Sequence, residues 1–167
     1  MVEHEYRDCP GCGLHLPLSD APADQRFNAS PECLALHGEL TGYTVMRGDK
    51  DFIHQLLVDT YAAQHADQRQ PPIRLAFALI GLHLACDKGY TGKQVQHMHT
   101  LLARRSKTWP AFALPTQAGA LTVLGVLQAQ PGEQRDAMLR RWAQSVWEAW
   151  GQEHAHVKAL LDRVMAD

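Results

Sequence analysis

The stretch that decides the fold class is residues 73–88, which read IRLAFALIGLHLACDK. Apolar side chains would lie on nearly every face of a helix with this sequence, and such a helix is buried on all sides. Pro71 and Pro72 break the chain before it, and Gly89 is a typical residue just past a helix end. We therefore expect a central helix that other helices surround.

Several further helices are predicted on both sides of this one. Ser30 followed by Pro31 is a strong helix start, because serine caps free N–H groups and proline suits the first helical position. The predicted fold class is all-α, a helical bundle of about five to six helices. Cys9, Cys12 and Cys33 have the spacing of metal ligands, so we expect the bundle to carry an irregular N-terminal zinc-knuckle cap. From apolar spacing and breaking residues, the other helices are expected at about 31–46, 49–65, 92–107, 123–130 (with a strand at 121–124 as the alternative), 133–150 and a final stretch to 164.

The length of 167 residues is typical of one domain that can bury a core. We expect a single domain over residues 1–167, with a loop-rich metal-binding cap at 1–30 and the helical bundle at 31–167. Many prolines and glycines interrupt the first 29 residues. This segment therefore needs a stabilising link from outside its own sequence to become ordered.

Composition and charge narrow the classes of partner. Hydrophobic residues make up 46% of the chain and charged residues 20%, as in ordinary folded soluble proteins. The formal net charge of -2 gives no overall attraction to nucleic acid or to an anionic membrane. Residues 1–8 lack the features of a signal peptide, and the longest apolar run, 75–82, is too short to span a bilayer. We expect a cytoplasmic protein with no membrane partner, and nucleic acid is disfavoured as a partner.

The cysteines at the head of the chain have the spacing of a metal site. Cys9 and Cys12 lie in the motif CPGCG (residues 9–13), a tight turn that lets two thiolates point at one ion. Cys33 and His37 are four apart on the first predicted helix, so they share a face and can reach the same ion. Four protein ligands make a closed tetrahedral site, which is typical of structural zinc. The sequence therefore predicts Zn²⁺ as the cofactor, with these four residues as its ligands.

Two other interpretations of the cysteines stay open. They could form a thioredoxin-like redox pair, but that motif expects a helix to begin at the first cysteine, where this sequence has proline and glycine. They could also be unrelated buried cysteines. The fourth ligand is open as well, because His15, His54 or a histidine of the C-terminal helix could replace His37.

A second group of polar residues lies on the next two predicted helices. The second helix carries His54, Asp59, Tyr61 and His65, and His83 interrupts the apolar third helix. One interpretation of His83 is a buried neutral imidazole bonded to a carbonyl or to a carboxylate such as Asp59. The other is a ligand or an acid–base residue in a pocket between helices. These five residues form the candidate pocket, and the sequence identifies no catalytic residue.

Four blocks of sequence extend over nearly the whole chain: CPGCG at 9–13, FNASPEC at 27–33, VDTYAAQH at 58–65 and WAQSVWEAW at 142–150. In these blocks the chain resembles a small bacterial family of uncharacterised proteins, a domain of unknown function. The resemblance implies a stand-alone, cytosolic bacterial protein and brings no activity with it. In that family the residue four after the third cysteine need not be histidine, which raises His65 or His54 as the alternative fourth ligand.

Three functions are compatible with these residues. The first is a zinc-stabilised helical protein that binds a small molecule or a protein between its helices, with no chemistry at the metal. The second is a metal-dependent, hydrolase-like enzyme built from the interhelical histidines and Asp59, which needs a second metal or an open ligand position at the first. The third is a zinc-knuckle regulator that binds nucleic acid, against which the absence of a basic stripe near Cys9 counts.

Overall fold

The computed structural model of the chain describes residues 5–166. Residues 1–4 and 167, which the predicted domain includes, lie outside them. The prediction of an all-α fold is confirmed, although the number of helices is larger than expected because the short fifth helix and the final stretch are both complete helices. Seven α-helices lie within the described residues: α1 (Pro31–Arg47), α2 (His54–Gln64), α3 (Pro72–Leu82), α4 (Gly92–Arg105), α5 (Val123–Gln128), α6 (Glu133–Ala149) and α7 (His154–Ala166).

A short hairpin forms the start of the N-terminal cap. Its two antiparallel strands, β1 (Tyr6–Asp8) and β2 (His15–Pro17), pair in a register that places Arg7 opposite Leu16. The turn between the strands contains the first two cysteines, so the hairpin presents them together. A loop then leads to α1, which contacts β2.

The helix predicted to be central lies in the middle of the bundle. α3 packs most extensively against α2, and it also contacts α4, α6 and α7. Its residues Leu79, Ile80 and Leu82 are fully buried. Gly81 allows the close approach of α2, because a Cβ atom at this position would collide with the carboxyl group of Asp59.

Three tryptophans of the α6 segment fill the space beside α2. Trp142, Trp147 and Trp150 are all buried. A buried indole N–H needs an acceptor, and α2 supplies two of them. Trp142 donates to Gln64 Oε1 (3.0 Å) and Trp150 donates to the Ala63 carbonyl (3.3 Å). These bonds fix α6 against the C-terminal end of α2, close to the cap.

The third helix changes geometry near its end. The prediction extends one helix to Lys88, but the α-helical part ends at Leu82 and a π-helical turn, His83–Asp87, continues it. The Tyr90 N–H donates to the Leu84 carbonyl (2.9 Å) where this turn ends. Such a turn takes in one extra residue, and π-turns inside α-helices are frequent at functional sites.

Within residues 5–166, no helix combines the length and the apolar composition that crossing a bilayer requires.

Candidate metal centre

The turn between β1 and β2 has the backbone of a metal knuckle. The Cys9 N–H donates to the Leu14 carbonyl (2.8 Å), and the Gly13 N–H donates to the Cys9 carbonyl (2.9 Å). Gly13 has a φ of 78°, a left-handed conformation that glycine adopts without strain. This turn brings Cys9 and Cys12 to the same side of the hairpin.

Gly11 in the same turn permits contact with the end of α2. A Cβ atom at position 11 would lie 2.5 Å from Cδ2 of the His65 ring and would also collide with the Asn28 carbonyl oxygen. Gly11 is therefore the glycine of CPGCG that allows the turn to approach the His65 ring closely.

Cys33 lies in the first turn of α1. Ser30 caps this helix, since its Oγ accepts a hydrogen bond from the Cys33 N–H (3.2 Å). The Cys33 side chain is fully buried, and its Sγ lies 3.8 Å from Cys12 Sγ. The N-terminal end of a helix carries partial positive charge, which stabilises the thiolate that Cys33 supplies when a cation is bound.

His65 completes the cluster from the C-terminal end of α2. Its Nε2 lies 3.4 Å from Cys33 Sγ, and its Nδ1 lies 2.9 Å from the Tyr61 carbonyl oxygen. A carbonyl only accepts hydrogen bonds, so Nδ1 carries the proton and the Nε2 lone pair faces the sulfur atoms. The backbone also joins the cap to this helix end, because the Asn28 N–H donates to the His65 carbonyl (2.9 Å).

The donor set and its spacing fit a tetrahedral metal ion. The ligand atoms of Cys9, Cys12, Cys33 and His65 all lie within 4.8 Å of one another. In a regular zinc tetrahedron with Zn–S bonds of about 2.3 Å, sulfur atoms lie about 3.8 Å apart and a sulfur and a nitrogen about 3.6 Å apart. The distances of 3.8 Å for Cys12 to Cys33 and 3.4 Å for Cys33 to His65 are close to these values. The chain thus has a Cys₃His cluster that could hold a metal ion.

The protonation of the thiols depends on their mutual contacts. Hydrogen bonds from Cys12 and Cys33 lower the pKa of Cys9 far below that of an ordinary thiol. Hydrogen bonds with Cys12 and Cys9, together with burial, raise the pKa of Cys33 well above its usual range. Without a cation, one thiolate is therefore favoured and the neighbouring thiols tend to keep their protons.

Tyr61 supports the cluster and separates it from His37. Its hydroxyl lies 3.4 Å from Cys33 Sγ, and burial and the cysteines raise its pKa, so the phenol stays protonated and can donate to the sulfur. Its ring stacks on His65 (3.9 Å between centroids) and on His37 (4.0 Å). The two histidines thus contact the same tyrosine, and His65 is the one that joins the cysteines.

The position of His37 differs from the sequence expectation. It does share a face of α1 with Cys33, but its imidazole packs against Tyr61 and the Phe27 ring (5.7 Å). Burial and the nearby His65 lower the pKa of His37 to about 4, so it is neutral at physiological pH. The alternative ligand His65 takes the place in the cluster that the prediction gives to His37.

The other alternative ligands lie in different environments. His15 bonds Asp8 (2.7 Å) on the exposed hairpin. His54, at the start of α2, bonds the Thr44 hydroxyl (2.8 Å) between α1 and α2. Of the C-terminal histidines, His154 bonds the Trp147 carbonyl (2.7 Å). Each of these three imidazoles therefore has a local partner outside the cysteine cluster.

The structure does not gather the five candidate-pocket residues in one place. Tyr61 and His65 belong to the metal cluster, and His54 faces α1. Asp59 accepts a hydrogen bond from Gln55 Nε2 (3.1 Å) and lines a cavity of 280 Å³ between helices. Among the described residues, the cysteine cluster is the one group of three or more metal-binding side chains that could share an ion.

His83 has a carboxylate partner, but the partner is not Asp59. Its Nδ1 lies 2.7 Å from Asp87 Oδ2, and Asp87 Oδ1 accepts a hydrogen bond from Trp147 Nε1 (3.0 Å). The sequence reasoning missed Asp87 and Trp147. The four-residue spacing of His83 and Asp87 on one helix is a signal that could have identified this pair.

Comparison with known proteins gives a family and no characterised relative. No curated protein and no solved structure matches the chain. A family of unknown function, DUF5946, matches residues 7–151, which include all four residues of the metal cluster and six of the helices, α1 to α6. The chain therefore belongs to the DUF5946 family.

Proposed function

We propose that the protein binds one Zn²⁺ through Cys9, Cys12, Cys33 and His65, and that the ion is structural. The observation that carries this proposal is the convergence of four ligand atoms from three separate segments within 4.8 Å. Three thiols and one imidazole are a typical zinc ligand set. Four protein ligands leave no position for a water molecule or a substrate, so the ion supplies folding energy and no chemistry.

The proposed role of the ion is to fasten the cap formed by residues 1–30 to the helical bundle of residues 31–167 within one domain. The ligands come from the hairpin turn, from the start of α1 and from the end of α2. Few other contacts support the hairpin, whose strands are largely exposed. Loss of the ion should therefore release the cap first, while the core around α3 persists.

For the bundle we propose a binding role toward a small molecule or a protein. Two concave sites support it: the 280 Å³ cavity beside Asp59 and a 550 Å³ cleft beside His83. The cleft lies within the range of about 300–1,000 Å³ that is typical of ligand sites, and the cavity lies just below it. The hydrolase-like alternative has less support, because within residues 5–166 no second set of ligands accompanies the cysteine cluster.

The metal proposal is tested by measuring zinc per chain in purified protein and in matched variants. Cys33→Ser and His65→Ala should lose the ion, whereas the control variants Cys86→Ser and His37→Ala should retain it. Cys86 and His37 are the same residue types outside the cluster, so the comparison separates a specific site from unspecific binding. Full zinc occupancy in both Cys33→Ser and His65→Ala would overturn the proposal.

The proposed structural role has its own test. Chelation of the ion should make the hairpin and the loop to α1 sensitive to protease, and hydrogen exchange in α3 should stay slow. Equal protection of the hairpin with and without zinc would contradict this role, even if zinc binds.

A further inference from the structure

The π-helical turn at the end of α3 presents a histidine–carboxylate pair that the metal centre does not use. The side chain of His83 is only 4% exposed, and its Nδ1 lies 2.7 Å from Asp87 Oδ2. A regular α-helix would continue the apolar pattern of α3 here, but the π-turn inserts one residue and carries the pair. An inserted turn that pairs a buried histidine with a carboxylate at the surface, at the end of the most apolar helix, is not explained by core packing alone.

Both oxygens of the Asp87 carboxylate have donors. Oδ2 faces His83, and Oδ1 accepts from Trp147 Nε1 (3.0 Å). Burial on its own raises the pKa of Asp87, but the hydrogen bonds from His83 and Trp147 outweigh it, and the pKa is lowered. Asp87 is therefore a carboxylate that can only accept hydrogen bonds, and it holds the proton of His83 on Nδ1.

This arrangement leaves the other ring nitrogen of His83 as an acceptor. A neutral imidazole with its proton on Nδ1 has a lone pair on Nε2. Within the described residues, Nε2 has no hydrogen-bond partner. It is also absent from the fully buried polar atoms without a partner, so it is accessible from the cleft. His83 also lines the 550 Å³ cleft. The free nitrogen is thus available to a molecule in the cleft.

The walls of the cleft come from the π-turn, α4 and α7. They combine an apolar surface with two lysines, Lys88 and Lys158, and two carboxylates, Asp87 and Asp162, of which Asp87 already accepts hydrogen bonds from His83 and Trp147. Neither lysine forms an ion pair with a described residue. The apolar lining residues are Leu84, Tyr90, Met98, Leu161 and Met165.

We infer that this cleft binds a small organic anion that carries an apolar group and a hydroxyl or N–H donor. The anionic group pairs with Lys88 or Lys158, the apolar group lies against the methionines and leucines, and the donor bonds His83 Nε2. Asp87 and Trp147 act as positioning residues, because they set the tautomer of His83. The inference rests on the proposed binding role of the bundle and is independent of the metal ion.

The test titrates zinc-loaded protein with three probes while NMR follows the side-chain signals of His83. Mandelate has an anion, a ring and a hydroxyl; phenylacetate lacks the hydroxyl; benzyl alcohol lacks the anion. Free His83 should show the Nδ1–H tautomer. Mandelate should shift its signals and saturate, with an affinity about 3- to 10-fold above phenylacetate, the effect of one hydrogen bond, and above benzyl alcohol.

Variants separate the two contacts. Replacing both exposed lysines, Lys88→Ala together with Lys158→Ala, should weaken both anions and leave benzyl alcohol unchanged, and unchanged affinity for the anions would overturn the inference. His83→Phe should remove the preference for mandelate over phenylacetate, and the matched variant His97→Phe on the outside of α4 should keep it. The Nε2–H tautomer in free protein, equal affinity for all three probes, or no saturable shift with mandelate would overturn the inference, whatever the zinc content of the protein.

Discussion

Replacing Asp59 with asparagine should change how the stability of the protein depends on pH. Asp59 is only 4% exposed, and it lies directly against Gly81 of α3. Burial raises the pKa of its carboxyl group well above the ordinary value, and the hydrogen bond from Gln55 offsets only part of this effect. Asparagine has the same shape, keeps an acceptor for Gln55 and carries no charge, so it isolates the ionisation of this one group.

The sign of the effect follows from proton binding. Above the ordinary carboxyl pKa of about 4, the unfolded chain has lost the Asp59 proton while the folded protein still holds it. The stability of the wild type therefore falls as pH rises, by about 1.4 kcal/mol per pH unit, until the raised folded pKa is reached. Asp59→Asn removes this contribution, so above about pH 5 the variant gains about 1.4 kcal/mol relative to the wild type for each pH unit, until the raised folded pKa is reached.

The assay is urea unfolding of both proteins at several pH values in this interval. Other titrating groups, including the metal ligands, contribute equally to both proteins and cancel in the difference. Asp20→Asn, at an exposed position, serves as the control for the substitution itself. If the difference in unfolding free energy between the wild type and Asp59→Asn stays constant with pH, the assignment of a buried, protonated carboxyl group is wrong.

Three further predictions concern the metal centre. Gly11→Ala should lower zinc affinity at least tenfold in a competition with a chelator, because the new methyl group collides with the His65 ring. The control Gly38→Ala meets open space on α1, so it should bind zinc normally and raise the free energy of unfolding by up to about 1 kcal/mol. Tyr61→Phe keeps the ring stack but removes the hydroxyl next to Cys33, so zinc affinity should fall about 10- to 100-fold with little change in the circular dichroism spectrum; unchanged affinity would mean that the hydroxyl does not support the site. Zinc binding near pH 7 should release about two protons per ion, measured by calorimetry in buffers of different ionisation enthalpy, because two of the three thiols hold protons in the free cluster; release of none would show that all three are already thiolates.

The fold class could be predicted from the sequence because local signals and burial agree. The apolar segment 73–88 has its breakers at both ends, and Ser30 with Pro31 starts α1 where expected. The start of α2 was less predictable. The helix begins at His54 and not near Asp49, because the Asp49 carboxylate accepts the Ile53 N–H (3.0 Å) across an intervening turn.

The spacing of the three cysteines predicts them as metal ligands, but the sequence does not identify the fourth member of the cluster. His37 and Cys33 do lie one helical turn apart, as their spacing predicts. His65 is 32 positions from Cys33, so its approach depends on how α1 and α2 pack, and on the Tyr61 ring next to both histidines. Spacing within one helix cannot report a contact between two helices.

The sequence does not predict the π-turn either. Residues 83–87 continue the helical pattern of α3, so no local signal marks the extra residue, and the contacts of the turn with α6 and α7 appear only in the folded chain. The sequence therefore predicts only a carbonyl or a carboxylate such as Asp59 as the partner of His83. In the structure, the partner of His83 is Asp87, and Trp147 of α6 donates a hydrogen bond to the same carboxylate.

X-ray absorption at the zinc edge of the purified protein tests the central claim most directly. The account predicts one zinc per chain with three sulfur ligands at about 2.3 Å and one nitrogen ligand at about 2.0–2.1 Å. The nitrogen contribution should persist in His37→Ala and disappear in any zinc that His65→Ala retains. A shell of oxygen ligands, a four-sulfur shell, or an unchanged nitrogen signal in His65→Ala would contradict it.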